Sequence, residues 1–388
     1  MKRYKMAVFF ISVLTIYTLI NLYLYFKGLN AIPALQTHKL LYAISFLLFA
    51  AVFIIAKIIE AQHSSLITDV LNIFGGFWLA FMLYGFLFFI LSDIALLILK
   101  VTGTLSSDTI PLFRKWSFIL TAGLSFILIT GGFINALIPV VKEYNITINK
   151  PAGGKKSMRI AAVSDIHLGS IIRKRSIKKL SSILKEINPD MVLLLGDIID
   201  GEIGPVLRGD LLQYFTCPKC NEGLYAITGN HEYIGGVNRT IPYIESKGIR
   251  VLKDEIVTLE GGIQLVGRID RDASRFSGKG PLPLNELMKK ADTSKPVILL
   301  DHQPFHIDES VNSGVDLQLS GHTHNGQMWP LNYITKMIYD VSYGYLKKSN
   351  THIIVSSGYG LWGPRVRSGS RSEVLLINIK FDGVTGKE

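Results

Sequence analysis

The segment Leu319–Gln327 carries two histidines, His322 and His324, two positions apart. An apolar run over residues 315–319 precedes them and predicts a strand that ends here. Alternate residues of a regular strand share a face, but a sharp turn at Gly321 would direct the two imidazoles towards two different metal ions. The alternative is a surface loop that carries histidines for another reason. The segment therefore predicts a metal site only if the rest of the chain supplies further ligands.

Four further motifs have the same form, with polar or charged side chains directly after an apolar run. Five of the seven histidines beyond residue 141 belong to these five motifs. Taken singly, each residue has an ordinary structural explanation, such as a helix cap, a turn or a core histidine. Together they are expected to meet, because ligands gather beyond the carboxyl ends of neighbouring strands. The motifs are Asp165-x-His167, Gly196-Asp197, Gly229-Asn230-His231-Glu232, Asp301-His302 and Gly321-His322-x-His324.

The side-chain types indicate which ions such a site would take. Imidazole and carboxylate ligands without thiolates suit Mn, Fe or Zn in a catalytic site. Two such ions roughly 3.5–4 Å apart can clamp a phosphoryl group and activate water. Asp197 is the best candidate for a carboxylate shared by both ions, because it follows Gly196 at the end of an apolar strand.

The elements that position these residues are predicted to alternate between strands and helices. Helical spacing of apolar residues over Ser176–Ile187, stopped by Pro189, predicts an amphipathic helix. Continuous apolar strands separated by helices predict an α/β fold with a sheet buried on both faces. The predicted strands are residues 159–164, 191–195, 224–228, 263–266, 297–300, 315–319, 352–355 and 374–379.

The first 141 residues have a different composition from the rest of the 388-residue chain, with nine basic and four acidic residues among mostly apolar ones. About twenty apolar residues are enough to cross a membrane as a helix. A signal peptide is the alternative for the first run, but no small-residue cleavage site follows it. A buried soluble bundle is excluded because the runs lack a polar face. The predicted spans are Met6–Phe26, Leu40–Ile59, residues 71–99 and Ser117–Val141.

Four spans place both chain ends on the same side of the membrane. Basic residues precede the first span and follow the last, which predicts a cytoplasmic catalytic domain by the positive-inside rule. Lys100, Arg114 and Lys115 lie between the third and fourth spans and argue against this side. We predict a membrane domain over residues 1–141, a linker over 142–157 and a soluble domain over 158–388.

The net charge of +11 indicates which kinds of partner to expect, and the chain has two cysteines. A basic surplus beside a membrane suits anionic lipid headgroups or phosphate-bearing substrates. No basic stripe with interleaved aromatic residues is present, so no nucleic-acid partner is expected. Cys217 and Cys220 are expected to be free thiols, with a zinc clip or a redox or disulfide role as alternatives.

The five motifs, in this order over about residues 159–380, resemble the calcineurin-like metallophosphoesterases. The combination with membrane helices, and the segments Ser356–Gly360 and Pro364–Arg367, resembles a membrane-anchored bacterial phosphodiesterase subgroup of that family. The resemblance implies a four-layer α/β/β/α sandwich with a dinuclear metal site. One departure is Asp301 before His302, where many members carry Ala or Ser. We expect Asp301 either to contact the His302 ring on the side away from the metal or to cap a helix.

The resemblance also implies roles for individual residues. The first metal would be held by Asp165, His167, Asp197 and His324. The second would be held by Asp197, Asn230, His302 and His322. His231 would not be a ligand but would act on the leaving group as a general acid or charge stabiliser.

The predicted activity is hydrolysis of a phosphoester by a membrane-anchored enzyme, with a phosphodiester at the bilayer surface, such as a lipid-linked one, as the favoured substrate. Arg365 or Arg367 is a candidate for binding a distal phosphate or a lipid headgroup, with surface solubility as the alternative. The competing hypothesis is a membrane sensor or scaffold that binds phosphorylated ligands without turnover. An intact ligand set argues against the sensor, and the substrate and the oligomeric state are left open.

Overall fold

The long apolar runs form the first of two units in the computed structural model, which describes residues 2–217 and 219–383. The first unit comprises residues 1–62 and 66–131, and the second comprises residues 63–65 and 132–388. The helices of the apolar region are α1 (Lys2–Ala31), α2 (Pro33–Thr37), α3 (Lys39–Gln62), α4 (Leu66–Val101) and α5 (Ile110–Ala136), with a 3-10 turn at Ser107–Thr109.

Within the described residues, four of these helical stretches are long and apolar enough to cross a membrane. They are Ile11–Ala31, Lys39–Gln62, Leu66–Val101 and Ser107–Ala136. Two hydrogen bonds join polar side chains of different helices inside the unit. Trp78 donates to Asn21 across 3.0 Å, and Tyr23 donates to Asp93 across 2.6 Å. The four long apolar helices expected from the sequence are therefore confirmed, and that each of them crosses a membrane stays a prediction.

The second unit contains two mixed sheets and short helices. Its strands are β1 (Val140–Ile148), β2 (Ser157–Val163), β3 (Met191–Leu194), β4 (Gly223–Ala226), β5 (Arg250–Val251), β6 (Glu255–Thr258), β7 (Gln264–Gly267), β8 (Val297–Leu300), β9 (Leu317–Ser320), β10 (Gly344–Lys348), β11 (Thr351–Val355) and β12 (Glu373–Phe381). Its helices are α6 (Lys174–Ile187), α7 (Gly204–Gly209), α8 (Asn230–Ile234), α9 (Val237–Glu245), α10 (Ala273–Phe276), α11 (Leu284–Met288), α12 (Ile307–Asn312) and α13 (Leu331–Ile338). Further 3-10 turns are at Leu211–Tyr214, Glu260–Gly262 and His324–Gly326.

Each sheet has six strands among the described residues. The orders are β1-β12-β2-β3-β4-β5 and β10-β11-β9-β8-β7-β6. In the first sheet, β2 to β5 run parallel while β12 is antiparallel to β2. In the second sheet, β7, β8, β9 and β11 run parallel, and β6 and β10 are antiparallel edges. Within each sheet, the parallel strands therefore bring their carboxyl ends to one edge.

The main core lies between the two sheets. Ile160 and Leu193 of the first sheet share one buried cluster with Ile298 and Leu319 of the second. The opposite face of the second sheet is covered by short helices, since Leu287 of α11 packs with β7 and β8 residues. The α6 helix buries one face of the amphipathic pattern that its sequence predicts. The α/β/β/α prediction is confirmed, because alternate residues of these strands face either the other sheet or a helix.

Two boundary predictions need correction. The fourth helix ends at Ala136 instead of Val141, and the first part of the predicted linker is strand β1. The cause is long-range, because β1 pairs in parallel with β12, more than two hundred residues away. The cysteines are also not free thiols: Cys217 and Cys220 form a disulfide, with their Cα atoms 5.7 Å apart, a spacing that suits the bond.

Candidate metal centre

The predicted ligands follow β2, β3, β4, β8 and β9, where each strand ends. Several of them have a backbone conformation that is unusual for residues other than glycine. The φ angles of Asp165, His167, Asp197, His322 and His324 lie between +48° and +69°. Such strain costs about 1–3 kcal/mol per residue and persists where the surrounding structure imposes it. The sharp turns direct these side chains into a shared space beyond the strands.

The first cluster consists of Asp165, His167 and His324, all buried, whose ligand atoms lie within 4.8 Å of one another. The two Nε2 atoms of the histidines are 3.1 Å apart, and His324 Nε2 is 3.4 Å from Asp165 Oδ1. Asp165 also accepts the backbone N–H of His322 at 3.0 Å. The cluster therefore joins the ends of β2 and β9.

The second cluster consists of Asp197, His302 and His322. The Nδ1 atom of His302 donates to the carbonyl of Leu195 across 2.6 Å, which leaves Nε2 as the free lone pair. That Nε2 is buried and lies 3.2 Å from Asp197 Oδ2. Asn230 joins this cluster through a 3.0 Å contact between its Oδ1 and His322 Nδ1.

Asp197 lies between the two clusters. Its Oδ2 is 3.2 Å from His302 Nε2 and 3.9 Å from His167 Nε2. Its Oδ1 accepts the backbone N–H of His231 at 2.8 Å. One carboxylate thus faces ligands from both clusters, as predicted for a shared ligand from its position after β3.

The donor set fits divalent cations. Burial opposes ionisation of Asp197, but the charges of His302 and His231 outweigh it and hold the carboxyl pKa well below its usual range. Burial and the charge of His302 lower the pKa of His322 to about 4, so this imidazole is neutral at physiological pH. Carboxylates and imidazoles whose ligand atoms lie this close together are the ligands that divalent transition metals prefer.

Close packing around the ligands requires glycine at Gly196 and Gly321. A Cβ on Gly196 would lie 2.7 Å from both the Gly229 nitrogen and His302 Nδ1, and its φ is +91°. A Cβ on Gly321 would lie 2.4 Å from Asp165 Oδ2. The glycine before Asp197 therefore lets two neighbouring loops and a ligand ring approach closely.

Comparison with known proteins shows the family. A profile described as calcineurin-like phosphoesterase matches residues 158–326. An uncharacterized metallophosphoesterase from Aquifex aeolicus is 32% identical, and the match covers 63% of this chain and 92% of that protein. The chain belongs to the calcineurin-like metallophosphoesterases.

Other relatives match over part of their length. A Helicobacter pylori (strain J99) uncharacterized metallophosphoesterase is 35% identical over 64% of this chain and 66% of that protein. A Danio rerio protein named transmembrane protein with metallophosphoesterase domain is 30% identical over 64% of this chain and 59% of that protein. The match spans slightly less than two thirds of the Helicobacter protein, and this chain combines two ligand clusters suited to divalent ions with four helices long and apolar enough to cross a membrane.

Asp200 is a residue of the metallophosphoesterase site that our sequence analysis missed. Its Oδ1 lies 3.1 Å from His231 Nδ1 and 3.4 Å from His167 Nδ1. Burial would lower the pKa of His231, but Asp197 and Asp200 raise it to about 9. Asp200 therefore holds two imidazoles in orientation from one carboxylate. The available signal was its place three residues after Asp197, on the same turn.

Glu232 was quoted in the Gly-Asn-His-Glu motif without a role, and the metallophosphoesterase structure supplies one. Its buried carboxylate accepts four backbone N–H groups. Oε2 accepts those of Gly229 at 2.7 Å and Asp197 at 3.0 Å. Oε1 accepts those of Ile198 at 2.8 Å and Ile199 at 3.0 Å. Glu232 thereby ties the loop that carries Asp197 to the loop that carries Asn230.

The two arginines predicted to bind substrate differ in position. Arg367 is fully buried, and its Nη2 donates to the carbonyls of Ser357 at 2.8 Å and Gly360 at 2.7 Å. That prediction is wrong for Arg367, because its guanidinium is enclosed by the protein and lies 3.3 Å from His324 Nδ1 instead. Arg365 is half-buried, with its guanidinium over the ring of Phe133.

Asp301 also differs from expectation. Its carboxylate accepts a 2.7 Å hydrogen bond from Arg268, whereas the Nδ1 of His302 bonds the Leu195 carbonyl. The residue at the N-cap position of α12 is His306, so Asp301 does not cap that helix. Asp301, the residue that departs from the family pattern, therefore forms an ion pair with Arg268.

We predict that Glu232→Gln weakens metal binding. The amide would place an NH₂ group against two backbone N–H donors, so the loops carrying Asp197 and Asn230 lose their common anchor. We expect the apparent Mn²⁺ affinity of the full-length protein to fall about 10–100-fold, as for other groups that orient metal ligands. Isothermal titration calorimetry measures this affinity. The control is Glu245→Gln, which changes an exposed carboxylate that pairs with Lys253 at the surface. Unchanged Mn²⁺ affinity in Glu232→Gln would contradict this role.

Proposed function

We propose that this protein hydrolyses phosphodiesters at a membrane surface, with lipid-linked phosphoesters as its substrates. The observation that carries the proposal is the arrangement of two ligand clusters around Asp197, with His231 beside them. Asp165, His167, Asp197 and His324 would hold one ion. Asp197, Asn230, His302 and His322 would hold the other. When bound, two such ions neutralise phosphoryl oxygens and supply a nucleophile from water.

His231 is the proposed general acid for the leaving group. It contributes to neither predicted ligand set, and its backbone N–H binds Asp197 while its ring contacts Asp200. Asp200 favours the protonated imidazole, because a carboxylate 3.1 Å from Nδ1 stabilises imidazolium by its charge. Proton donation to the departing oxygen is a step that this pair can perform.

The four apolar helices favour the hypothesis that the substrate lies in the bilayer. Strand β1 starts four residues after α5 ends, so only a short segment separates the first sheet from the last predicted span along the chain. A phosphoester carried by a lipid would then be presented at the same interface as the metal centre. Arg365, half-buried near the end of α5, remains our candidate for contacting a headgroup phosphate.

We predict that Asp197→Ala abolishes turnover by removing the ligand that both clusters share. Hydrolysis of a bis-aryl phosphodiester by the full-length protein should fall at least about 10²–10³-fold, since a preorganised electrostatic element is lost. Metal content measured on the same sample should also fall. Asp308→Ala, whose side chain is an exposed partner of Lys348, is the matched control. A wild-type protein that binds metal but hydrolyses no phosphoester would instead favour the sensor hypothesis.

We predict a leaving-group signature for His231→Asn. With a poorly acidic leaving group, kcat should fall about 10²–10⁴-fold, the usual contribution of a general acid. With p-nitrophenolate, which departs without a proton, the loss should be much smaller, and Asp200→Asn should follow the same trend. A series of aryl methyl phosphodiesters measures this dependence. Equal losses across the series, or loss of bound metal, would contradict the general-acid role.

We propose that the catalytic unit faces the cytoplasm, on the basis of the basic residues that flank the first and last spans. The Cys217–Cys220 disulfide is more typical of an oxidising compartment and opposes this side. A cysteine at the exposed Ser349 should react with a membrane-impermeant maleimide only after spheroplasts are permeabilised. Labelling of intact spheroplasts would place the unit on the outer face.

A further inference from the structure

Helix α13 exposes its apolar residues, whereas a helix on a soluble domain normally buries them. Tyr333, Ile334, Met337 and Ile338 lie within an arc of about 140° at 3.6 residues per turn, and all are exposed, Met337 to 86%. Asn332 lies on the other side of the helix with its Oδ1 buried. A helix on a soluble domain normally buries its apolar stripe, so this face requires an apolar or interfacial partner.

Two exposed tryptophans belong to segments at or bonded near the start of this helix. Trp329 comes just before α13, and Trp362, 58% exposed, is connected to it through Gln327. The Gln327 side chain donates to the Trp362 carbonyl at 2.9 Å and accepts its backbone N–H at 3.0 Å. We refer to Trp329, Tyr333, Ile334, Met337, Ile338 and Trp362 as the interfacial face. Tryptophan and tyrosine beside aliphatic residues are typical of the membrane–water boundary.

The interfacial face is adjacent to the metal centre at both ends of α13. At its start, the backbone of Gly326, two residues after His324, packs against Asn332 so closely that a Cβ would lie 2.3 Å away. At its end, the Tyr339 ring is 6.3 Å from the ring of His322 and 4.6 Å from that of Phe305. A ligand that entered beside α13 would therefore reach the second ligand cluster past two aromatic rings.

The same surface is attached to the last turn of α5, whose residues from Gly132 onward belong to the second unit. Arg367 donates its backbone N–H to the Gly132 carbonyl at 3.0 Å, and Asn135 donates to the Arg367 carbonyl at 2.8 Å. One residue further along, the Ser368 hydroxyl accepts the Trp329 N–H at 3.1 Å. The loop that follows Trp362 thus connects the end of a membrane-spanning helix with the start of the interfacial face.

We propose that the interfacial face inserts into the headgroup region of the bilayer that the protein spans, so that the metal centre takes its substrate phosphate directly from a lipid. This inference rests on the proposed function and specifies its substrate class as a phosphoester whose organic group stays in the membrane. A lipid surface is favoured over a second copy because the face continues from a loop bonded to the end of a spanning helix. An apolar arc with interfacial aromatics and Lys336 beside it is also the pattern of a helix lying in the interface plane.

Fluorescence quenching tests insertion independently of catalysis. The full-length protein is reconstituted in vesicles of phosphatidylcholine and phosphatidylglycerol, with bromine placed near the headgroup or near the acyl-chain end. The difference between wild type and the double variant Trp329→Phe/Trp362→Phe isolates the two tryptophans from those in the spans. Headgroup-level bromine should quench roughly half of this difference emission, as for interfacial tryptophans. In the double variant, Phe276→Trp adds a tryptophan at an exposed site on α10 as the matched control and should stay unquenched.

Kinetics test the consequence for substrate. Met337→Glu/Ile338→Glu places two charges on the exposed face without changing a ligand. It should raise the apparent KM for a diacylglycerol p-nitrophenyl phosphodiester embedded in vesicles about 10²–10⁴-fold, the equivalent of losing two fully buried apolar side chains. Its rate on water-soluble bis-p-nitrophenyl phosphate should match wild type, and Phe276→Glu should change neither.

The outcomes separate the two proposals. Quenching together with a loss confined to the embedded substrate supports insertion. An unquenched Trp329 and Trp362, or an equal change on both substrates, overturns it even if the enzyme hydrolyses soluble phosphodiesters normally. Unquenched tryptophans in a protein that cross-links as a dimer would assign the face to a second copy and overturn it as well. If the wild-type protein hydrolyses no phosphoester while its tryptophans are still quenched, the result would refute the proposed function and leave the insertion proposal standing.

Discussion

The carboxylate of Asp197 is the group on which the structure of the site depends. It is buried between imidazoles from three other loops, and one of its oxygens faces both ligand clusters. An isolated buried carboxylate is costly unless it is paired. Here the neighbouring histidines favour its ionised form, and the same arrangement suits divalent cations. The two sheets, which meet through one apolar core, bring the loops after β3 and β8 within reach of each other.

Around Asp197, a second layer of side chains sets the geometry. Glu232 ties two loops together through four N–H groups, Asp200 orients two imidazoles, and the Leu195 carbonyl selects the tautomer of His302. These contacts help to maintain left-handed backbone conformations that would otherwise relax. The strained backbone and these hydrogen bonds act together. The sharp turns direct the ligands inward, and the hydrogen bonds hold the turns in place.

Within the second unit, the last turn of α5 is joined to the rest by more than its covalent continuation. The last turn of α5 bonds the loop that carries the buried Arg367, and Arg367 contacts His324. A single loop therefore touches the end of a spanning helix, a predicted metal ligand and the start of α13.

Much of this protein is determined by local sequence pattern. Apolar length predicts the four spans, and apolar runs predict the strands around the site to within about two residues, because both depend on nearest neighbours. The five motifs identify Asp165, His167, Asp197, Asn230, His302, His322 and His324 because each follows such a run directly, and the structure brings them together. Long-range contacts decided the rest. Strand β1 depends on β12, Asp200 and Glu232 acquire roles only when their loops are folded, and Arg367 is recognisable as buried only once its carbonyl partners surround it. A side chain's partners across the fold are set by tertiary packing, which the spacing of residues along the chain does not encode.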